Sequence, residues 1–412
     1  MTIIDTALKP ARSEAQDVGA QDFGAQDFGD LTQRVADVAA IAAADADSVD
    51  REARFPQAAI TAAKANKLLG VLVPREFGGE EASIFDVTDM SYALGRACSS
   101  AAMIIAMHHV KVACVVRHGR GNAWQESFMR RIASGQMLLA SSTTEGQNGG
   151  NVRSSAAAIE RNGNAISLER DATVISYGAE ADGLVTVARR AGDAAASDQV
   201  LLALGRDDYA LTRTTSWDTL GMRGTCSTGF ALKARGVADQ IVPEPYDRIH
   251  AQTMVPYAHL CWSSVWAGIA SAAVERAQAF VRKAARGANG QMPPGAAHFT
   301  EAQANLNKLR ALITTTAEIY AAREFDDRAL GALNFQSAIN LLKVDASELA
   351  GEIVMSALRA TGLSGYRNDG STSVARHLRD VLSAPLMINN DRIRANIATA
   401  TLMGGGAPRL RG

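Results

Sequence analysis

The carboxyl-terminal stretch 359–395 holds the densest set of residues that could do chemistry. Gly362 and Gly365 follow a predicted helix, and a turn rich in amide and hydroxyl groups at 368–372 precedes the next helix. Free N–H groups at helix ends bind phosphates well. Glycine is also the usual residue after a helix, because it accepts a positive φ. From these residues alone, a capped helical hairpin is favoured over a ligand site.

Two other segments carry polar residues at suggestive spacing. His108 and His109 adjoin on a predicted helix, where neighbouring side chains diverge by about 100°. They cannot bind one metal ion together, and we predict no metal site. The run Thr143-Thr144-Glu145 precedes Gly149-Gly150, a pattern that lets backbone N–H groups approach a phosphate. The plainer interpretations are helix histidines at an interdomain surface and an ordinary glycine loop.

Length and composition narrow the class of protein. A chain of 412 residues can bury a large core and is expected to form two or three lobes. The net charge of −1 gives no bulk attraction to nucleic acid or to a membrane surface. The four cysteines lack CxxC spacing, and no basic, apolar leader or membrane-length apolar run stands out. These features predict a cytoplasmic protein with a small-molecule substrate and no nucleic-acid or membrane partner.

The periodicity of apolar residues divides the chain into four segments. Residues 1–30 contain the repeat AQDVG-AQDFG-AQDFG, which has too few apolar groups for a core and predicts a flexible arm. Residues 31–136 show helical spacing, and residues 137–246 show the alternation of β-strands. Residues 247–412 show long helical stretches with short connections, typical of a four-helix bundle. The expected fold class is α+β, with a central antiparallel β-barrel or sandwich between two helical domains.

Three partial motifs occur in the same order as in a known family. The segment 55–79 reads F-P, then L-G-x-x-x-P-x-x-F-G-G, and 220–230 reads LGMRGTCSTGF. The last block matches at Gly362, Gly365, Tyr366, Arg376, Arg379, Asp380 and Ile393. Together they resemble the acyl-CoA dehydrogenase superfamily over about 31–398. The resemblance implies the fold, a homotetramer, and FAD or FMN held across a subunit interface.

The resemblance also implies which residues contact the flavin. Thr143, Thr144, Gly149 and Gly150 match the element T-E-P-x-x-G-S-D, and Ser176 matches a threonine that hydrogen-bonds the ring. In this element Gly150 replaces serine and Gly146 replaces proline. Arg359 stands where the family has glutamine. The remaining positions implied to contact cofactor are Arg282, Arg359, Gly362, Gly365 and Asn390.

The catalytic base of the family has no obvious counterpart. Ile388 stands where many members carry the catalytic glutamate, and Ala258 or His259 stands at the alternative position. The candidates for a base are Asp391, three residues after Ile388, and His259. His108 is a third catalytic candidate in a different role, because the resemblance implies a histidine near here that protects a flavin–oxygen adduct in hydroxylating members.

Three functions follow from the resemblance. The first expectation is a flavin-dependent α,β-dehydrogenation of an acyl thioester, which needs a carboxylate to take the α-proton. The second is a flavin monooxygenase of the same fold that hydroxylates N, S or an aromatic carbon. The third is a flavoprotein without catalysis that serves as a scaffold subunit. The missing glutamate argues against the first and leaves the other two open.

Overall fold

The computed structural model describes residues 29–146 and 152–403. The repeat-containing arm predicted for residues 1–30 falls almost wholly outside these limits, as do Gly149 and Gly150.

The amino-terminal part is a cluster of five helices: α1 Leu31–Glu52, α2 Gln57–Ala65, α3 Ile84–Ala97, α4 Ser99–His118 and α5 Ala123–Gly135. The Ser83 hydroxyl and the Asp86 carboxylate cap the start of α3 reciprocally, so its first N–H groups are satisfied. By length and composition α4 could cross a membrane. It is instead buried on nearly every side within the protein, as a helix that is apolar all round must be.

The central part consists of seven strands: β1 Leu139–Ser142, β2 Glu160–Asn162, β3 Ala165–Ile175, β4 Gly183–Arg189, β5 Gln199–Gly205, β6 Tyr209–Arg213 and β7 Thr228–Val237. They form two sheets, in the orders β1-β4-β5 and β2-β3-β7-β6. The β1–β4 pair is parallel and the others are antiparallel. Along β3 burial alternates, so one face of its sheet meets solvent. The arrangement is an open sandwich rather than a closed barrel.

The carboxyl-terminal part is helical: α6 Tyr246–Ile249, α7 Val255–Gly287, α8 Ala296–Ala321, α9 Asp327–Gly331, α10 Leu333–Thr361, α11 Leu363–Tyr366, α12 Ala375–Val381 and α13 Asn390–Met403. A π-helical turn, His250–Met254, leads into α7. The fourth helical segment, predicted from Thr372 onward, forms two helices, α12 and α13, because the turn around Pro385 separates them.

The long helix α7 connects the two helical parts of the molecule. It packs against α3 and α4 of the first helical cluster and against α8 and α10 of the bundle. It crosses α3 at such close range that a Cβ on Gly268 would lie 2.3 Å from the Tyr92 carbonyl oxygen. Only glycine fits there. The expected fold class is confirmed: helical domain, central sheets and helical bundle.

Candidate active site

A cavity of about 430 Å³ lies where the strand ends, α4, the start of α7 and the segment 383–388 meet. It therefore draws its walls from all three parts of the fold. Sites of this kind, formed where domains meet, are the usual place for cofactors and small substrates.

Hydroxyl groups form the wall on the strand side. Ser141, Thr143 and Thr144 follow from β1 into the next loop, and Ser176 follows β3. The Ser176 hydroxyl lies 2.7 Å from that of Ser227, which lies 2.7 Å from that of Thr225. These contacts make a short hydroxyl chain that orients the cavity-facing groups.

The loop that carries part of this wall is held by the carboxyl-terminal motif. The Met222 N–H donates to the buried Asp380 carboxylate at 2.7 Å. A Cβ on Gly221 would lie 2.1 Å from the Arg379 carbonyl oxygen, so glycine is required for this approach. Arg379 also pairs with Asp50 on α1. The arginine–aspartate pair of the family motif thus fixes the position of the cavity wall.

The opposite wall is apolar and rich in sulfur. Met103 and Met107 on α4 and Met254 before α7 line it, and Met222 and Met387 line the neighbouring walls. Trp217 and Trp262 add two aromatic surfaces. Flexible thioethers beside aromatic rings suit a flat, polarizable ligand and exclude water from it.

Lys111 is a charged residue within this apolar wall. Its side chain comes from the middle of α4, it is only 3% exposed, and it lines the cavity. Burial lowers the pKa of its ammonium group to about 8. The Nζ atom donates to the Met254 sulfur at 3.4 Å.

Two histidines also line the cavity and are neutral near pH 7. Burial lowers the pKa of His250, in the π-helical turn, to about 3. Burial lowers the pKa of His259 to about 4. The His259 Nδ1–H donates to the Ile339 carbonyl at 2.9 Å, which leaves Nε2 as an acceptor. A π-helical turn is often found at a functional site, where it redirects side chains.

The position of the missing family carboxylate is held rigidly. Ile388 lines the cavity and has φ of +46°, which is strained for a β-branched residue. The buried Lys343 donates to the Ile388 carbonyl at 3.0 Å and to Asn390 Oδ1 at 2.6 Å. Burial lowers the pKa of Lys343 to about 7. Even a neutral amine keeps two N–H groups, one for each acceptor.

The described residues that line the cavity include no aspartate or glutamate. Residues 147–151, which lie outside the described ranges, read QNGGN and contain none either. Glu145, the carboxylate of the strand-end motif, pairs instead with the buried Arg170 at 3.1 Å. The chemistry of this cavity must therefore proceed without a carboxylate from these segments.

Three of the predicted site residues lie away from the cavity. Both nitrogens of His108 serve backbone: Nε2–H donates to Leu69 O at 2.8 Å, and Nδ1 accepts from the Leu139 N–H at 3.0 Å. Asp391 has a side chain that is 90% exposed, at the start of α13. Asn390 is buried among Lys343, Ser347 and Glu348. None of the three lines the cavity, and the roles expected for them stay predictions.

The other predicted residues divide into two groups. Thr143, Thr144, Ser176 and His259 line the same cavity. Arg282, Arg359 and Gly362 are exposed, whereas Gly365 is buried against Thr361. None of these four lines the cavity, and contact with the cofactor of a neighbouring subunit stays a prediction for them.

Several cavity residues were not anticipated from the sequence: Lys111, His250, Trp217 and the five methionines. The sequence did contain a signal for Lys111. Met103, Met107, Val110 and Lys111 follow the spacing i, i+4, i+7, i+8, which places them on one face of a helix. A single lysine on such an apolar face indicates either a buried pair or a ligand.

The donors in the cavity fit a flavin ring. An isoalloxazine needs hydrogen-bond donors at its polar edge and apolar surface against its faces. Thr143, Thr144 and Ser176 offer hydroxyls on one wall, and Trp217 and Val174 offer apolar surface. The Trp262 Nε1–H is buried in the described structure without a hydrogen-bond partner, so a donor remains for a bound ligand.

The family is established by comparison with known proteins. The description "Acyl-CoA dehydrogenase, N-terminal domain" matches residues 27–136, and "Acyl-CoA dehydrogenase, C-terminal domain" matches residues 250–402. The chain belongs to the acyl-CoA dehydrogenase superfamily.

Its relatives differ in the reaction that their names give. A probable acyl-CoA dehydrogenase of Mycobacterium leprae, fadE25, is 23% identical over 361 residues, 87% of this chain and 90% of that protein. A probable FMNH2-dependent monooxygenase of Pseudomonas putida, SfnC, is 23% identical over 368 residues, 82% of this chain and 87% of that protein. FMN-bound TdsC of Paenibacillus sp. A11-2, a dibenzothiophene monooxygenase, superposes with a TM-score of 0.80 at 18% identity, covering 93% of this chain and 100% of that one. The broad class is an oxidoreductase.

Proposed function

We propose that the protein is a flavin-dependent monooxygenase that uses reduced flavin and O2 to oxygenate a small, largely apolar substrate. The observation that carries this proposal is the cavity wall. The two family positions for a catalytic carboxylate hold Ile388 and either Ala258 or His259, and all three residues line the cavity. Dehydrogenation of an acyl thioester needs a base for the α-proton, which in this family is a carboxylate. His259 is the one candidate base among these residues, and burial keeps it neutral near pH 7.

The residues of the cavity have separable roles in this proposal. Thr143, Thr144 and Ser176 would hold the polar edge of the flavin. When bound, reduced flavin supplies the two electrons with which one oxygen atom of O2 becomes water while the other enters the substrate. The methionine-lined wall excludes bulk water from the reacting atoms. The Nε2 acceptor of His259 would orient a substrate N–H or O–H group.

The hydroxyls on the strand side give the first testable prediction. Ser176→Ala and Thr144→Val should each raise the Kd for FMN about five- to tenfold, because one hydrogen bond is worth about 1 kcal/mol. Ser142→Ala is the matched control. Its hydroxyl is buried beside the same strand end but does not line the cavity. Fluorescence titration with FMN measures all three. Equal affinities for the three variants would contradict the assignment.

Isotope labelling tests the reaction itself. The FMN-loaded protein is reduced and mixed with ¹⁸O2 and a panel of indoles, aryl thioethers, aryl amines and aromatic acids, and the products are analysed by mass spectrometry. We expect one ¹⁸O atom in a product. In parallel, the oxidised holoprotein is mixed anaerobically with acyl-CoAs of varied chain length. Loss of flavin absorbance there, with no label incorporated in the first arm, would overturn the proposal in favour of the dehydrogenase.

A further inference from the structure

Lys111 is a buried charge that the packing of the fold does not explain. It sits on a face of α4 that is otherwise apolar, and the lysine is only 3% exposed. Among the described residues, the recorded hydrogen-bond partner of its Nζ is the Met254 sulfur at 3.4 Å. A thioether is a weak acceptor and carries no charge. The ammonium group therefore has no counter-charge in the wall that it joins.

Such a residue costs stability in the empty protein. Taking an ammonium ion out of water without a partner is unfavourable, unless the group loses its proton. A methionine or leucine would fill the same space without that cost, and five methionines already line the cavity. A negatively charged group that enters the cavity would offset the cost and keep the ammonium group charged.

The surroundings of Lys111 define the rest of that ligand. Met103, Met107 and Met254 form apolar surface next to it, and Trp262 adds an aromatic face. The titratable groups near it include the neutral His250 and the thiol of Cys114, whose pKa burial raises to about 12. The Tyr246 hydroxyl donates to the same Met254 sulfur, and burial raises its pKa. None of the three offers a negative charge near pH 7. A ligand that satisfies this wall is apolar over most of its surface and carries one anionic group.

We propose that Lys111 anchors the anionic group of the organic substrate, so that the substrate is a small aromatic acid rather than a neutral heterocycle or a fatty acyl chain. This inference rests on the proposed function, since it names the substrate class of the same cavity. The strand-side hydroxyls that would hold the flavin directly follow β1 and β3, whereas Lys111 belongs to α4 and contacts the π-helical turn. The lysine is thus placed for the substrate side. A neutral acyl tail at this wall would leave the ammonium group unpaired.

Binding of matched acid and amide probes tests the anchor directly. The FMN-loaded protein is titrated calorimetrically with benzoate and benzamide, and with 1-naphthoate and 1-naphthamide. We expect at least one acid to bind about tenfold or more tightly than its amide. Lys111→Met should abolish that preference, and Lys111→Arg should retain part of it. Lys308→Met, which removes an exposed lysine on α8, should leave it unchanged.

Thermal melting separates the ligand role from a structural one. If Lys111 is there for a ligand, Lys111→Met should melt at the same or a higher temperature than the parent without ligand, because it removes an uncompensated buried charge. A clear fall in Tm, an equal affinity of the parent for acids and amides, or a preference that survives in Lys111→Met would each overturn the proposal. Weakened FMN binding with an intact preference would overturn it too, by assigning Lys111 to the flavin.

The binding experiments and the labelling experiment distinguish failure of the anchor from failure of the proposed reaction. An acid preference that depends on Lys111, together with no ¹⁸O incorporation from any substrate, would leave the anchor standing and remove the monooxygenase. Oxygenation of neutral substrates that Lys111→Met does not affect would support the monooxygenase and overturn the anchor.

Discussion

Acidification from pH 6.5 to pH 4 is expected to unfold the protein cooperatively. Six of its seven histidines have a lowered pKa: His108, His109, His118, His250, His259 and His377. Burial is the largest cause in each case. These groups stay neutral in the folded state, whereas the unfolded chain protonates them near pH 6.5.

The sign of the effect follows from that difference. Above pH 6.5 neither state binds these protons, and the free energy of unfolding is at its full value. As the pH falls toward 4, the unfolded state binds up to six protons that the folded state does not bind, so the free energy of unfolding decreases. The pKa values of the Asp89, Glu180, Glu324, Asp345 and Asp380 carboxyl groups are raised by burial, which acts in the opposite sense and offsets part of this loss.

Urea unfolding at several pH values between 7.5 and 4.5 measures this dependence. His108→Gln should reduce the slope by about one proton. A free energy of unfolding that stays flat between pH 6.5 and pH 5 would contradict the prediction.

The second large effect is expected at the buried ion pair of the sandwich. Glu145→Ala should lower the free energy of unfolding by about 3–5 kcal/mol, because it leaves the Arg170 charge buried without its partner. The two side chains are 4% and 1% exposed and lie 3.1 Å apart. The Glu145 carboxylate also accepts the N–H groups of Ala156 and Ala157, at 2.6 and 3.3 Å. Denaturant titration measures the loss.

Two comparisons show whether the buried charge is the cause. The double variant Glu145→Met with Arg170→Met should lose less stability than Glu145→Ala, since neither charge remains. The exposed pair of Lys233 and Glu169, on β7 and β3, provides the surface control. Lys233→Met should change the free energy of unfolding by at most about 1 kcal/mol. If Glu145→Ala were equally mild, the pair would not carry the stability assigned to it.

The sequence predicted the helical and strand segments well, because periodicity reports burial directly. On α4, however, the spacing of the apolar residues around the lysine is more informative than the histidine pair. The spacing of Met103, Met107, Val110 and Lys111 already placed the lysine on a common apolar face. His108 lies next to Met107 in sequence, about 100° further around the helix, and meets backbone instead of the cavity.

The carboxyl-terminal turn was harder to predict, because its geometry depends on a distant residue. Alignment alone cannot show that Ile388 adopts a left-handed φ or that Lys343, 45 residues earlier, holds its carbonyl. This contact places Asn390 in the core and Asp391 in solvent. Tertiary contacts, not local sequence, decide which side chains of such a turn face a cavity.

The link between α12 and the rest of the fold also bears on how the protein is made. Asp380 lies 158 residues after Met222, and Arg379 lies 329 residues after Asp50. A chain growing on the ribosome therefore synthesises its first helices and both sheets before Arg379 and Asp380, which make these two contacts, emerge. Until then the methionine-rich wall has no stable cover, and exposed apolar surface of this kind promotes aggregation and attracts chaperones. The last tenth of the chain therefore determines when the nascent protein can cover this surface and avoid aggregation.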